Sequence, residues 1–361
     1  MNVLIIEPFY TGSHQRWCDE FQAHSQHQIE LSKLSGVHWK WRMHGGAVEI
    51  STKLNQTKVK YDLILVSDFL DLATFKALYW DAEVAMAIYF HENQITYPWS
   101  ETDQDVRLKR DNHYGWINYT SALVANRCFF NSRYHMQSFI DSLPQFLNQF
   151  PDGVDLNSIQ SIAEKSQVLH LGMAMHNLER KVNDVPVILW NHRWEYDKNP
   201  EGFFKSLDEV ADLPWKLIVV GKSYTTSPPV FKAHAKKFKN RILHWGFVES
   251  IETYQKLLAL SDLLLVTSNQ DFFGGSVVEA IHAGVFPILP NRLAYSEHLP
   301  SSYLYTTEQQ MLKQLRDGLN NWKELISLRS YVEKYEWNNC ISNYDSALEL
   351  LVNQTGSKVV H

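Results

Sequence analysis

Val187-Ile188-Leu189-Trp190 follows a polar stretch, residues 176–185, that ends in Val185-Pro186. Four apolar residues in a row after a turn signal fit a strand buried on both faces, as in a parallel sheet. Similar runs follow at Lys216-Leu217-Ile218-Val219-Val220-Gly221, Ile242-Leu243-His244-Trp245, Leu263-Leu264-Leu265-Val266 and Phe286-Pro287-Ile288-Leu289. An earlier series mirrors them. It starts at Val3-Leu4-Ile5-Ile6, closing at Glu7-Pro8, and continues at residues 63–66 and 85–90. A run from Ala122 through Phe130 and the stretch Val168-Leu169-His170-Leu171-Gly172 complete it. Polar or helical stretches separate the runs, the first carrying Trp17 and Phe21. Residues 331–351 form an amphipathic helical pattern. Residues 176–185 therefore read as a linker between two doubly wound α/β halves, with the cleft between them as the default ligand site.

Composition fits this reading. The chain has 361 residues, 45% hydrophobic and 20% charged, which excludes disorder of the whole chain and suggests two domains. Three distant cysteines, Cys18, Cys128 and Cys340, give neither a disulfide framework nor a cysteine zinc site. The start does not read as a signal peptide, and no apolar run is long enough to span a bilayer, so a cytoplasmic protein is expected. The net charge of −6 argues against an indiscriminate nucleic-acid binder. It leaves room for a local basic, aromatic surface, and 12 Trp, 17 Tyr, 18 Phe and 16 His supply the material.

The richest segment is Thr267-Ser268-Asn269-Gln270-Asp271-Phe272-Phe273-Gly274-Gly275-Ser276-Val277-Val278-Glu279-Ala280. It follows a buried strand and precedes a predicted helix. Gly274-Gly275 opens backbone conformations closed to other residues, and free amides at a helix start bind anions. Asp271 and Glu279 stand eight apart and can face one ligand. A turn whose carboxylate compensates the helix dipole is the plainer alternative. After the strand 187–190 come Asn191-His192-Arg193-Trp194-Glu195-Tyr196-Asp197-Lys198-Asn199-Pro200. Arg193 can fork onto phosphate oxygens and Lys198 can add a point charge; surface pairing with Glu195 and Asp197 is the alternative.

Tyr89-Phe90-His91-Glu92-Asn93-Gln94 ends a strand of the first half. His91 suits acid, base or hydrogen-bond work, or a satisfied structural role. A metal reading is weak, since no second His follows at helical spacing. Gly12-Ser13-His14 is a glycine turn without the dinucleotide fingerprint. Gly221-Lys222-Ser223 lacks the earlier glycine of a phosphate loop, that position being Lys216. In His38-Trp39-Lys40-Trp41-Arg42-Met43-His44-Gly45-Gly46, adjacent positions cannot all face a core, so some of Trp39, Trp41 and Arg42 are exposed or at an interface. Aromatic faces stack on bases and Arg grips phosphate; a half-buried strand or hairpin edge is the alternative. Lys232, Lys236, Lys237, Lys239 and Arg241 read as a solvated helix face.

Taken together, these segments resemble retaining glycosyltransferases of the GT-B fold, the glycogen-synthase-like family 4, over nearly the whole chain. Arg193 and Lys198 match the family's Arg-x-x-x-x-Lys, and Asp271 and Glu279 match its Glu-x7-Glu with Asp for the first acid. Tyr254 through Leu265 matches the approach to that element. Ile5-Ile6-Glu7-Pro8-Phe9-Tyr10-Thr11-Gly12-Ser13-His14, residues 89–94 and 192–198, His244-Trp245-Gly246 and Phe272-Phe273-Gly274 are similar to proteins described as tRNA-queuosine α-mannosyltransferase.

The resemblance implies two Rossmann-like doubly wound domains facing a central cleft. An acceptor-side domain would span 1–176, with a C-terminal helix 336–361 packing back on it, and a donor domain 177–335. It implies retaining transfer of mannose from GDP-mannose to the cyclopentenediol of queuosine in tRNA, tRNA-Asp among candidates, with no metal and no cofactor. Arg193 and Lys198 would neutralise the diphosphate, Glu279 hold the ribose, and Asp271 hold sugar hydroxyls near Phe272, Phe273, Gly274 and Gly275. Trp245-Gly246-Phe247-Val248 would lie against guanine, Gly12 would approach the phosphate, and His91 would touch the sugar. Ser13, His14, Trp39, Trp41, Arg42, Glu92 and Asn93 would wall the acceptor. No membrane partner is expected. A transferase for a small-molecule, lipid or glycan acceptor, and a non-catalytic RNA- or nucleotide-binding protein, are the competing readings.

Overall fold

In the computed structural model, residues 1–100, 103–108, 110–152, 155–223 and 227–356 are described. The chain divides into two compact units, Met1–Ala174 together with the segment from Tyr335 onward, and Met175–Lys334.

The first unit has a six-stranded parallel sheet: β1 (Asn2–Tyr10), β2 (Gln28–Ser35), β3 (Leu63–Ser67), β4 (Ala85–Phe90), β5 (Arg127–Phe130) and β6 (Ser166–Val168). Its order is β2-β1-β3-β4-β5-β6. Side chains alternate between two cores, as the strand period of two requires. Leu4, Ile6, Ile64, Val66, Met86, Ile88 and Phe90 share one core, and α2 (Trp39–Thr57) adds Ala47, Ile50 and Leu54. Val3, Ile5, Leu63, Leu65, Ala85, Ala87 and Tyr89 share the other with Trp17 and Phe21 of α1 (Gly12–His24). Helix Trp337–Gly356 closes that second core with Trp337, Tyr344, Leu348 and Leu351. Residues 357–361, read from sequence as the end of the same helix, lie outside the described residues.

The second unit repeats the plan with β7 (Val187–Trp190), β8 (Lys216–Val220), β9 (Ile242–Gly246), β10 (Leu263–Leu265), β11 (Phe286–Pro290) and β12 (Leu304–Tyr305). The order is β12-β11-β10-β7-β8-β9, all pairs parallel. Ile188, Trp190, Leu217, Val219, Leu263, Leu265 and Ile288 pack against Phe203, Phe204, Phe231 and Leu315 from the covering helices. In each sheet the strand order reverses once, at β1/β3 and at β7/β10. There the flanking loops diverge at the carboxyl ends and open a ligand crevice.

Several boundaries differ from the sequence reading. β2 and the two-residue β12 were not foreseen. β2 alternates exposed and buried residues, and its polar Gln28, Glu30, Ser32 and Lys33 hide the apolar signal. Such charges on an edge strand also discourage pairing with another chain. Residues 122–124 end a helix and only residues 127–130 are strand; residues 169–172 lie beyond β6. The stretch 38–46 is not a strand edge but the start of α2. Met43, Ala47, Ile50 and Leu54 recur at helical spacing on its buried face, and that burial overrides the poor propensity of Gly45-Gly46. Residues 176–185 are strapped to the second unit: Arg180 donates to the carbonyls of Gly284 and Ser261 and to Asp262, and Asn183 donates to Leu260 and Asp262. No helix among the described residues is long and apolar enough to cross a membrane.

Trp337 is 1% exposed, stacks on Phe21 and donates its indole N–H to Glu20 at 2.6 Å. Trp337→Ala should destabilise the first unit by about 3–5 kcal/mol through cavity formation and the loss of one of the hydrogen bonds to Glu20. Chemical denaturation followed by circular dichroism measures it.

Candidate active site

The β7 and β10 carboxyl ends build the denser site. Leu189 of β7 pairs with Leu264 of β10, so the loops after them start side by side. Asn191 leaves β7 and donates to Ser276 O at 2.7 Å and to the Tyr254 hydroxyl at 3.3 Å. His192 Nδ1 lies 3.2 Å from Ser276 Oγ. Burial pulls the His192 imidazole down to about 4, so it is neutral near pH 7. Asn191 Oδ1 and His192 Nε2 are buried and meet no hydrogen-bond partner among the described residues. Unmet polar atoms at a strand end are costly unless a ligand or water supplies the partner. Gly221 of the next loop is forced by close approach, because a Cβ there would sit 2.0 Å from the His192 carbonyl oxygen.

The chain then makes a 3₁₀ turn, Tyr196–Lys198, and enters helix Pro200–Glu209 through Asn199. Asn199 adopts the left-handed conformation, its side chain accepts from Gly202 N at 3.0 Å, and Pro200 starts the helix. This anchored turn aims Lys198 inward. Lys198 is 7% exposed, and its ammonium donates to Gln270 O at 2.6 Å and lies 3.1 Å from Asp197 and 3.4 Å from Asp271. Arg193 is more open and pairs with Glu195 at 3.3 Å. The pairing of Arg193 with Glu195 thus lies at the surface, whereas that of Lys198 with Asp197 is buried.

Asp271 uses its second oxygen on Tyr295, whose hydroxyl donates at 2.7 Å. Burial opposes the Asp271 charge, but Lys198, His192 and Tyr295 outweigh it and hold the carboxyl below its usual range. Tyr295 lies in the short helix Tyr295–His298, and His298 Nε2 lies 2.6 Å from the Phe273 carbonyl. Two side chains of one helix therefore brace the loop 271–274. Gly274 has φ +83° and a Cβ there would meet the Tyr295 ring at 3.0 Å, so the turn needs glycine. Helix Gly275–His282 follows with no side-chain cap and no acidic residue in its first turn, which leaves its leading amides for an anion. Glu279 accepts from the Tyr254 hydroxyl at 3.0 Å. Phe272 and Phe273 are buried, and Gly275 is half-buried.

The segment after β9 is mixed. The Trp245 ring packs on Trp194 and Phe204, whereas Phe247 is 59% exposed and Val248 half-buried. Gly246 has φ +122° with open space around it.

In the first unit, Gly12 and Ser13 are exposed at the start of α1, while His14 is buried. His14 Nδ1 lies 2.9 Å from Glu7 Oε2, and its ring is 4.2 Å from the His91 ring. Asp68, after β3, accepts from His91 N at 2.8 Å. Glu92 accepts from Gln94 at 2.8 Å. Asn93 turns inward: its side chain caps Ile95 N and Thr96 N, so its polar atoms serve the loop, not an acceptor. Trp39 is half-buried among Phe69, Trp99 and Tyr114, and Arg42 donates to Ser35, so neither offers a free face. Trp41 does, at 63% exposure. Sequence reasoning missed Glu7, Asp68, His192, Tyr295 and His298. A carboxylate within the apolar run of β1 was the readable signal for Glu7; the others depend on folding.

A family profile described as tRNA-queuosine alpha-mannosyltransferase N-terminal matches residues 2–173, and one described as Glycosyl transferases group 1 matches residues 175–334. Among solved structures, sucrose-phosphate synthase from Thermosynechococcus elongatus superposes with a TM-score of 0.71 at 11% identity, over 98% of this chain and 100% of that one. HepE from Anabaena, in complex with UDP, superposes at 0.65 with 16% identity, over 98% of this chain and 100% of that one. The fold is GT-B and the chain is a glycosyltransferase. A Drosophila melanogaster protein named tRNA-queuosine alpha-mannosyltransferase is 31% identical over 333 residues, 87% of this chain and 86% of that protein. The chain belongs to the tRNA-queuosine alpha-mannosyltransferase family.

Tyr295→Phe removes the hydroxyl under Asp271 and little volume. It should lower kcat/KM for sugar transfer roughly 30-fold, the equivalent of about 2 kcal/mol for a hydrogen bond to a charged group. Unchanged transfer kinetics, with unchanged melting temperature, would remove Tyr295 from the site.

Proposed function

We propose that this chain transfers mannose from GDP-mannose to the cyclopentenediol of queuosine in tRNA, tRNA-Asp among the candidates, with retention at the sugar and without a metal. Family membership supports the reaction. The observation that carries the chemistry is the buried Lys198 ammonium, clamped by Asp197 and Asp271 beside an uncapped helix start. A diphosphate entering there meets a fixed cation and free amides, with little reorganisation to undergo.

The assigned roles follow from this. Arg193 and Lys198 balance the charge that builds on GDP as the bond from the sugar's anomeric carbon to the phosphate oxygen breaks. The acceptor hydroxyl oxygen forms the new bond on the same face, and its proton passes to the departing phosphate. The leading amides near Gly274 and Gly275 hold phosphate or sugar oxygens. Glu279, oriented by Tyr254, takes the ribose hydroxyls. Asp271 is a methylene shorter than Glu, and Tyr295 and Lys198 already use both its oxygens, so it meets sugar hydroxyls through remaining lone pairs or water. Guanine rests on the backbone at Gly246 and the exposed Phe247. His91 meets the sugar, and Trp41 offers an aromatic face to tRNA. A soluble donor and a tRNA acceptor support a cytoplasmic reaction.

Incubation with GDP-mannose and queuosine-containing tRNA, followed by nucleoside mass spectrometry, tests this reading. Mannosylated queuosine is expected, and none from UDP-sugars or from tRNA lacking queuosine. Lys198→Ala should cut turnover at least ~100-fold. Trp41→Ala should raise KM for tRNA and spare KM for the donor. Equal product with unmodified tRNA, or full activity of Lys198→Ala, would overturn the assignment.

A further inference from the structure

Glu7 is a lone carboxylate in an apolar strand, 1% exposed, at the carboxyl end of β1 where the sheet order reverses. Its Oε1 accepts from Phe9 N at 2.8 Å and its Oε2 lies 2.9 Å from His14 Nδ1. The His14 ring in turn touches the His91 ring, with centroids 4.2 Å apart. Two buried imidazoles in contact do not both carry a proton's charge at neutral pH, because each cation raises the cost of the other.

The surroundings rank the two rings. Burial opposes a charge on His14, but Glu7 in contact, with Asp68 and Glu92 nearby, holds its pKa up at about 9. At His91 the balance is the reverse. Burial, then the charge of His14 and of His135, pulls it well below its usual value. The ring is boxed by Trp17 at 4.7 Å and Tyr89 at 4.8 Å, and its backbone is held by Asp68 and Asn131. The remaining neighbours do not change the ranking. Burial pushes Asp68 up to about 8 against the pull of His14, and burial raises the Cys18 thiol well above its usual value. His91 Nε2 is buried and meets no hydrogen-bond partner among the described residues. Such an atom costs about 1–3 kcal/mol unless something supplies the partner.

We propose that Glu7 is a positioning residue for sugar transfer: it holds a proton on His14, so that a fixed positive charge stands against the neutral His91, whose Nε2 is open to a substrate hydroxyl. The proposal rests on the reading of His91 as a substrate contact. His14 Nδ1–H donates to Glu7, which leaves Nε2–H as the ring's other donor and a fixed positive charge beside Gly12 and Ser13 at the start of α1. Glu7, His14 and His91 also bring one ligand atom each within 4.8 Å of one another, a spacing a divalent cation could bridge. A cation would displace the proton, so the two arrangements exclude each other.

The test is imidazole ¹⁵N NMR on the full chain, with His14 and His91 assigned through His14→Gln and His91→Gln. His14 should stay doubly protonated through pH 8 and titrate near 9, and His91 should stay neutral. A neutral His14 at pH 7, a charged His91, or a stoichiometric divalent cation in native mass spectrometry overturns the proposal. Glu7→Gln should return His14 to the ordinary imidazole range, leaving about 30-fold fewer charged rings at pH 8. The kcat/KM should fall by about that factor at pH 8 and recover toward pH 6, with Glu7→Asp recovering part of it. A flat loss at every pH that tracks the melting temperature, or an unchanged profile, overturns the positioning role. Should Glu7→Gln not fold, the NMR result on the unmutated chain still decides the charge order. Absence of mannosylated product from the unmutated enzyme, with His14 charged as expected, counts against the proposed reaction and not against the charge order.

Discussion

An ammonium taken out of water must be met by carboxylates or carbonyls, and the second unit is arranged around meeting one. Lys198 is 7% exposed, and Asp197, Asp271 and the Gln270 carbonyl surround it. Further hydrogen bonds pin the backbone that carries these groups and brace the Asp271 carboxylate. Asn269 N and Gln270 N donate to the Asp197 carbonyl, Thr267 Oγ1 donates to the carbonyls of Lys198 and Asn199, and Tyr295 donates to Asp271. Removing one member strands a buried charge, so the network is cooperative rather than a sum of pairs. Its arrangement keeps a cation in place before any ligand arrives, which is what electrostatic catalysis requires.

The two units place charge by the same rule and use it differently. In both, the groups gather where strand order reverses, because only there do loops from adjacent strands part and leave polar atoms unclaimed. In the second unit the centre is a lysine clamped by acids. In the first it is a histidine clamped by Glu7, with a neutral histidine against it. In both sites a buried imidazole Nε2, at His91 and at His192, meets no hydrogen-bond partner among the described residues. Burial keeps both of those rings neutral.

Much of this was readable before folding. The apolar runs at residues 3–6, 63–66, 85–90 and 187–190 are strands because a sheet covered on both faces needs uninterrupted apolar residues. The same property failed for β2, whose outer residues are polar because it sits at an edge. The string 38–46 misled for a related reason. Its aromatic residues suggest a strand edge, but Met43 and Ala47 are followed by Ile50 and Leu54, and the longer helical period decides burial. Of its candidate acceptor residues, only Trp41 kept an open face, since Trp39 found three aromatic neighbours and Arg42 found Ser35. Asn93 shows the same limit: an Asn after a strand reads equally as a ligand or as a turn cap, and here it caps.

The residue types and spacings of Arg193, Lys198, Asp271 and Glu279 by themselves marked two strand–turn–helix segments as ligand candidates, because spacing along such a unit is a local property; their reading as a nucleotide-sugar element came from the family resemblance. Which charges are buried, which are braced and which histidine holds a proton was decided only by tertiary structure. Tyr295 lies 24 residues from Asp271, and Asp68 lies 23 from His91. Desolvation and Coulomb energy depend on distance through space, and no local pattern encodes those distances.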